Sequence, residues 1–328
     1  MRARLATRCI VAGAAILLCA TGCGGGGGSS SAAAEQRARQ AKAAAQLRRA
    51  EARQAKLQAA VRRERARLEQ GGRESEGPAG SGGGSVLPAS AQGGFAQLAR
   101  SLGGRVGVSI SGPGQADGQQ LGDLAGGVAW SSIKVALAQA ALDAGRATGG
   151  DVTAAITASD NAAAERLWAA LGSGERAARA VQAVLAAAGD TSTVVNAQRT
   201  RPGFTAFGQT QWSLDAQRRF MAGYLCSHRD SEVVRLMQQV VPGQRWGLGS
   251  VGRPAGFKGG WGPAPSGPYL VRQMGWLDLG GGRTVVVAMA TIAPSGTYEA
   301  GAAALSRVAQ WVRDAAARSG ARPGSCPR

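Results

Sequence analysis

A chain of 328 residues allows one large domain or two small ones, and its balance is Gly- and Ala-rich and basic, with a formal charge of +18 and a single histidine. No His/Cys/Asp/Glu cluster has metal-ligand spacing, so no metal is expected. The glycine-rich stretches lack the strand-to-helix context and the Lys-Ser/Thr of a phosphate loop, and no cofactor is expected.

Arg2, Arg4 and Arg8 precede an apolar run from Ile10 to Ala20. About a dozen apolar residues behind positive charge read as a signal-peptide core, too short to span a bilayer as a helix. Ala20-Thr21-Gly22 places small residues directly before Cys23 and resembles a bacterial lipoprotein signal. That resemblance implies removal of residues 1–22, acylation of Cys23 and attachment to the outer face of the cell membrane; plain secretion is the alternative. Either way the mature chain works outside the cytoplasm, which makes nucleic acid a poor partner. Cys226 and Cys326 then remain, free to pair or to stay as thiols in an oxidising compartment.

Residues 23–31 are a Gly/Ser linker, and residues 32–70 are almost pure helix formers. A helix from Glu35 to Gln70 would run about 54 Å. Gln54 and Glu64 fall on heptad core positions, so a coiled coil is poorly supported. Eleven basic residues against four acidic ones make this a basic tether. It reads as a solvated spacer, or as a surface for anionic headgroups or wall polymers. Residues 71–86 form a flexible linker, and the folded domain occupies 87–328.

Within the domain, Phe95–Leu102 reads as a short helix, Arg105–Ser111 alternates as a strand, and Gln120–Leu124 is its partner beyond a Gly/Pro turn. Helices follow after Ser131 and over Val152–Thr157, Asn161–Leu171 and Glu175–Ala188. A loop over residues 190–210 leads to helices at Ser213–Cys226 and Ser231–Val240. Strands Tyr269–Leu279 and Thr284–Ile292 and a helix Thr297–Arg318 close the chain. This order predicts an α/β (α+β) fold, a sheet covered on both faces with a helical insert.

Ser131 and Lys134 begin a helical run, and residues three apart share a helix face at about 5–6 Å between Cβ atoms. A serine that must lose its proton to attack a carbonyl needs such an amine. Ser159-Asp160-Asn161 stands 28 residues on, by itself an ordinary helix cap. Lys258-Gly259-Gly260 sits at what reads as a strand end, by itself a turn. The chain's four lysines are Lys42, Lys56, Lys134 and Lys258, and the two inside the domain fall on these motifs. Arginine holds its proton, whereas a buried lysine can release one, so a site needing a titratable amine keeps lysine.

Ser-x-x-Lys, Ser-Asp-Asn and Lys-x-Gly in this order resemble the signature of class A β-lactamases and penicillin-binding proteins. The resemblance covers Arg105 to Val312 and not the tether. It implies five antiparallel strands flanked by helices, an all-α subdomain, and a site between them. It also implies Ser131 as nucleophile, Lys134 as proton acceptor or relay, and Ser159 as the group passing protons to the leaving group. Asn161 would hold a substrate amide, Lys258 and Gly260 would line the far wall, and the N–H groups of Ser131 and Trp261 would form an oxyanion hole.

Three features depart from that pattern. Gly259 stands where the family has Thr or Ser, a hydroxyl that helps bind a substrate carboxylate. The segment between Asp190 and Asp215 contains no Asp or Glu, although class A enzymes carry there the glutamate that activates the deacylating water. The distance from Ser131 to Ser159 is also short. The expectation is therefore a membrane-anchored, monomeric serine hydrolase acting on a β-lactam, a peptidoglycan-derived peptide or another small amide or ester, acylated readily and released slowly. The alternative is a catalytically weak penicillin- or peptidoglycan-binding or sensor module. A Ser-His-Asp triad around His228 is not expected.

Overall fold

Apolar strands from the first and last thirds of the domain pair into one antiparallel sheet. A computed structural model describes residues 86–88, 90–252, 255–319 and Cys326. The segments read above as signal peptide and tether, Cys23, and nearly all of the expected 71–86 linker lie outside the described residues. The sheet begins with β1 (Arg105–Ser111) and β2 (Gln119–Gly122); β3 (Gly126–Val128) and β4 (Gln211–Ser213) form a separate two-stranded ladder. It is completed by β5 (Ala255–Pro263), β6 (Tyr269–Asp278) and β7 (Thr284–Ile292). The order across it is β2-β1-β7-β6-β5, antiparallel at each pairing. Strand β5 is therefore an edge.

Both faces of the sheet are covered, which is why β7 reads as an unbroken apolar run. Val285, Val287 and Met289 point into one core, and Val286, Ala288 and Ala290 into the other. The first core lies under α1 (Ala91–Leu102) and the C-terminal helix, where Phe95 meets Trp311 edge to face at 5.1 Å. The second core is shared with α2 (Lys134–Asp143), α3 (Gly149–Thr157), α4 (Asn161–Ala170), α5 (Gly174–Ala187), α6 (Leu214–Ser227) and α7 (Glu232–Met237). The C-terminal helix is α8 (Tyr298–Arg318). Every residue of α2 from Lys134 to Ala141 is buried, so this helix has no solvent stripe and forms the centre of the helical layer. Side-chain caps start five other helices: Thr148, Asp160, Ser213, Ser231 and Thr297 each accept a backbone N–H of the first turn.

Strand β5 is where local reading of the sequence falls short. Lys258-Gly259-Gly260, expected at a strand end, lies in the middle of a nine-residue strand. Four glycines depress its strand propensity, yet close packing requires them. A Cβ on Gly256 would meet the Trp276 ring at 2.1 Å, and one on Gly262 would meet the Trp130 ring at 2.6 Å. Cys226 and Cys326 are joined as a disulfide across 100 residues of sequence, tying the end of α6 to the C-terminal segment.

Candidate active site

The candidate nucleophile stands on a short 3-10 turn, Trp130–Ile133, which runs directly into α2. Trp130, just before it, has φ +49°, and Ser159 has φ +58°; with Ser173 these are the three non-glycine residues at positive φ among the described residues. Such backbone costs on the order of 1–3 kcal/mol and persists only where the surroundings enforce it. Around Trp130 the enforcement is visible. Ala129 N–H donates to Thr210 O at 2.7 Å, Phe204 packs on the Trp130 ring at 5.2 Å, and Gly262 of β5 leaves room for the indole.

Polar groups deeper in the fold hold the same turn. Ser132 Oγ donates to Ala129 O at 2.6 Å and accepts from Gln217 Nε2 of α6 at 2.8 Å. Gln217 Oε1 accepts from Arg272 Nη2 of β6 at 2.7 Å. Arg272 is fully buried and donates also to the carbonyls of Gly127, Val128 and Trp212, clamping the β3–β4 ladder to the sheet. Burial pushes its pKa down to about 9, which leaves it charged at neutral pH. In the register Arg272 lies opposite Gly260, so the clamp and the expected far wall share one cross-strand pair. Sequence reading did not single out Ser132, Gln217 or Arg272. A charged residue in the middle of a strand buried on both faces is the signal that points to them.

The expected site residues converge. Gly260 lies so close to the turn that an added Cβ would stand 2.8 Å from Ala129 O and Ser132 N and 2.9 Å from Ser131 N. Lys258, on the same face of β5, donates to Ser159 Oγ at 2.8 Å and to Gly259 O at 3.1 Å. Lys134 donates to Ser159 O at 2.6 Å, Asp160 O at 3.2 Å and Asn161 Oδ1 at 2.7 Å. The amine thus points at the Ser-Asp-Asn segment, and Ser131 Oγ is not among its hydrogen-bond partners. Trp261 follows Gly260 on the edge strand and is partly exposed.

Both lysines are buried, and burial lowers both pKa values. Lys134 is pushed down to about 8, against an opposing pull from Asp160 and Glu165. Lys258 is pushed well below the usual lysine range by burial and then by the charge of Lys134. The segment after α5 is anchored by Asp190, buried and accepting from Trp212 Nε1 at 2.8 Å. Farther along it, Arg199 pairs with Glu165 of α4 at 2.8 Å, and Arg201 donates to Pro263 O at the end of β5 at 2.7 Å. His228 lies elsewhere, stacked on Tyr224 at the end of α6.

No family model matches the sequence, and no curated protein matches it. Solved structures do. TLA-3 extended-spectrum β-lactamase is 12% identical with a TM-score of 0.56, over 70% of this chain and 98% of that one. A class A β-lactamase from Bacteroides cellulosilyticus is 14% identical with a TM-score of 0.55, over 69% and 97%. The β-lactamase of Sphaerobacter thermophilus is 20% identical with a TM-score of 0.52, over 73% and 100%. The chain has the class A β-lactamase fold. Its five-stranded antiparallel sheet and flanking helices agree with what the motifs imply.

Within this β-lactamase-like fold one departure from the motif pattern has a packing cause. Gly259 faces away from Lys258 and Gly260, and a Cβ there would stand 2.8 Å from Trp246 Cζ2. The indole of Trp246 occupies the space that a Thr or Ser side chain would need.

Proposed function

We propose that the chain is an exported serine hydrolase that transfers an acyl group from an amide or ester to Ser131. Ser131 Oγ attacks the carbonyl carbon, its proton passes to the lysine–serine network, and the leaving group departs with a proton delivered through Ser159. The N–H groups of Ser131 and Trp261 stabilise the oxyanion, Asn161 holds the substrate amide, and Lys258 and Gly260 form the opposite wall. One observation carries this reading. Lys134 and Lys258, the two lysines of the domain, both hydrogen-bond to Ser159, beside a turn whose Ser131 N is in close reach of Gly260. The substrate class is a β-lactam, a peptidoglycan-derived peptide or another small ester, met at the outer face of the membrane by a monomer anchored through Cys23.

The test is covalent labelling by a fluorescent penicillin and by a fluorophosphonate, comparing wild type with Ser131→Ala. Labelling of wild type alone is expected; no labelling of wild type by either probe would overturn the assignment. Anchoring is read from incorporation of a clickable fatty acid, expected in wild type and absent in Cys23→Ala. A second reading, a weakly turning-over binding or sensor module, is favoured by the lack of any carboxylate over residues 191–214. Multiple turnover of a chromogenic cephalosporin that vanishes in Ser131→Ala would exclude it.

A further inference from the structure

The side chains of β5 alternate across the sheet edge. Lys258 and Gly260 face the 3-10 turn, whereas Gly259 and Trp261 face the other way. On that second side three aromatic rings meet. Trp246 stands edge-on to Trp261 and to Tyr298, in each case with centroids 6.2 Å apart, and Trp261 lies tilted against Tyr298 at 5.0 Å. Trp246 is held from both sides of its backbone: its carbonyl accepts from Gln273 Nε2 at 2.9 Å, and the next N–H, of Gly247, donates to Ser306 Oγ at 2.9 Å. Trp246 is nearly buried, while Trp261 and Tyr298 keep part of their rings exposed at the edge.

The chemistry of this wall is that of uncharged aromatic rings. Gly259 offers no hydroxyl, and its Cβ direction is filled by the Trp246 ring. The arginine next to Trp246, Arg245, turns its guanidinium over the Phe257 ring and donates to Val240 O. Arg272 is spent on carbonyls and Gln217 on the opposite face. An anionic group laid along Gly259–Trp261 would lose water and meet at the three rings no cation, only the neutral N–H and O–H donors of the indoles and the phenol. An aryl or branched alkyl group would bury against the rings and gain from edge and stacking contacts.

Resting on the acyl-serine reading above, we propose that Trp246, Trp261 and Tyr298 set substrate choice, and that the group lying along the Gly259–Trp261 edge is an uncharged aryl or branched alkyl group rather than a carboxylate. The full chain is tested with two acylglycyl phenyl esters that differ only in a meta carboxylate on the leaving phenol. Wild type is expected to favour the uncharged ester in kcat/KM by about tenfold or more, a typical span for one pocket contact. The preference should shrink in Trp261→Ala and in Trp246→Ala/Gly259→Thr, which removes the indole and restores a hydroxyl. Because the double variant risks misfolding, Trp246→Phe supplies a milder step and should give an intermediate ratio. An equal or reversed preference in wild type, or a ratio unmoved by all three variants, overturns the proposal. So does saturable quenching of tryptophan fluorescence by an N-acetylglucosamine oligomer that is lost in Trp261→Ala, which would make the rings a sugar platform. Wild-type labelling by fluorophosphonate separates the two readings. A labelled enzyme without ester preference sinks the aromatic wall alone, and an unlabelled one sinks the acyl-serine assignment with it.

Discussion

Gly260→Ala is the sharpest perturbation of the candidate site, because it adds one methyl where three backbone atoms already stand. The new Cβ would lie 2.8 Å from Ala129 O, 2.8 Å from Ser132 N and 2.9 Å from Ser131 N. Ordinary contact begins near 3.4 Å, so β5 and the 3-10 turn must separate by about half an ångström. The turn cannot swing aside freely, since Ser132 is tied to Ala129, and through Gln217 to the buried Arg272. Overpacking of this kind costs about 1–3 kcal/mol of stability. The kinetic cost should be larger, because the separation moves Ser131 N–H away from Trp261 on the strand. Misplacement of about an ångström costs on the order of a hundredfold, and loss of one oxyanion donor about a hundred- to a thousandfold. The assay is the second-order rate of fluorophosphonate labelling, measured with thermal unfolding of the same samples. Gly256→Ala is the control: it strains the same strand against the Trp276 ring and touches nothing near Ser131. It should lower the melting temperature without slowing labelling of the folded protein. If Gly260→Ala labels within threefold of wild type, the close approach of β5 to the turn has no part in acylation and the assignment of Gly260 fails.

Lys134→Arg keeps the charge and removes the releasable proton, and is expected to abolish labelling while leaving the fold intact, as checked by circular dichroism. In wild type the labelling rate should rise with pH through about 8, the folded-state value for Lys134. Since burial lowers this pKa from 10.5, the unfolded chain binds the proton between these values and the folded chain does not. The group's contribution to stability therefore improves as pH rises through that window, and a urea titration series over it should show the trend. Glu165→Gln removes a charge that raises the Lys134 pKa, so its pH–rate profile should shift to lower pH; a shift upward would contradict the electrostatics. Replacing Cys226 and Cys326 by alanine opens a constraint spanning 100 residues and should cost about 4–5 kcal/mol on the chain-entropy model, read from denaturant unfolding with and without reductant.

The sequence made much of this site legible because its chemistry is carried by residue type. Lysine among so many arginines marks Lys134 and Lys258, and helix-capping chemistry marks Asp160, whose Oδ1 accepts Ala163 N–H at 2.6 Å. Helices α4 and α5 lie within a residue or two of their sequence bounds because caps and breakers are local signals. What stayed hidden is set by close approach between distant segments. Strand β5 was obscured by the glycines that let Trp130, Trp246 and Trp276 pack on it, and propensity cannot anticipate partners that far away. The same holds for Gln217 and Arg272, whose meaning depends on a register that brings β6 beside the β3–β4 ladder. Trp246 reads as an ordinary core residue until its ring is seen over Gly259, and only then does the missing hydroxyl of the motif acquire a physical cause.

On the acyl-serine reading, the two lysines also constrain how a proton would leave Ser131. Lys134 gives one hydrogen bond to each of three oxygens, Ser159 O, Asp160 O and Asn161 Oδ1, which uses every N–H of an ammonium. In that geometry it is a donor only, and it has no lone pair to offer until it loses a proton. Lys258 makes two such bonds, to Ser159 Oγ and Gly259 O, and is buried facing the positive charge of Lys134. Two cations bridged by one serine repel, and burial disfavours the charge on both, so burial and the charge of Lys134 together favour loss of a proton from Lys258. A lysine that has lost a proton can accept from Ser159 Oγ–H, which frees the serine oxygen to receive a proton in turn, so Ser159 can pass a proton between the two amines. Lys134 gains a lone pair only as it titrates near 8, and giving up that proton costs one of its three hydrogen bonds to the Ser-Asp-Asn segment. Arginine at this position would keep the charge and block that step, which is why Lys134→Arg separates the charge of the site from its proton transfer.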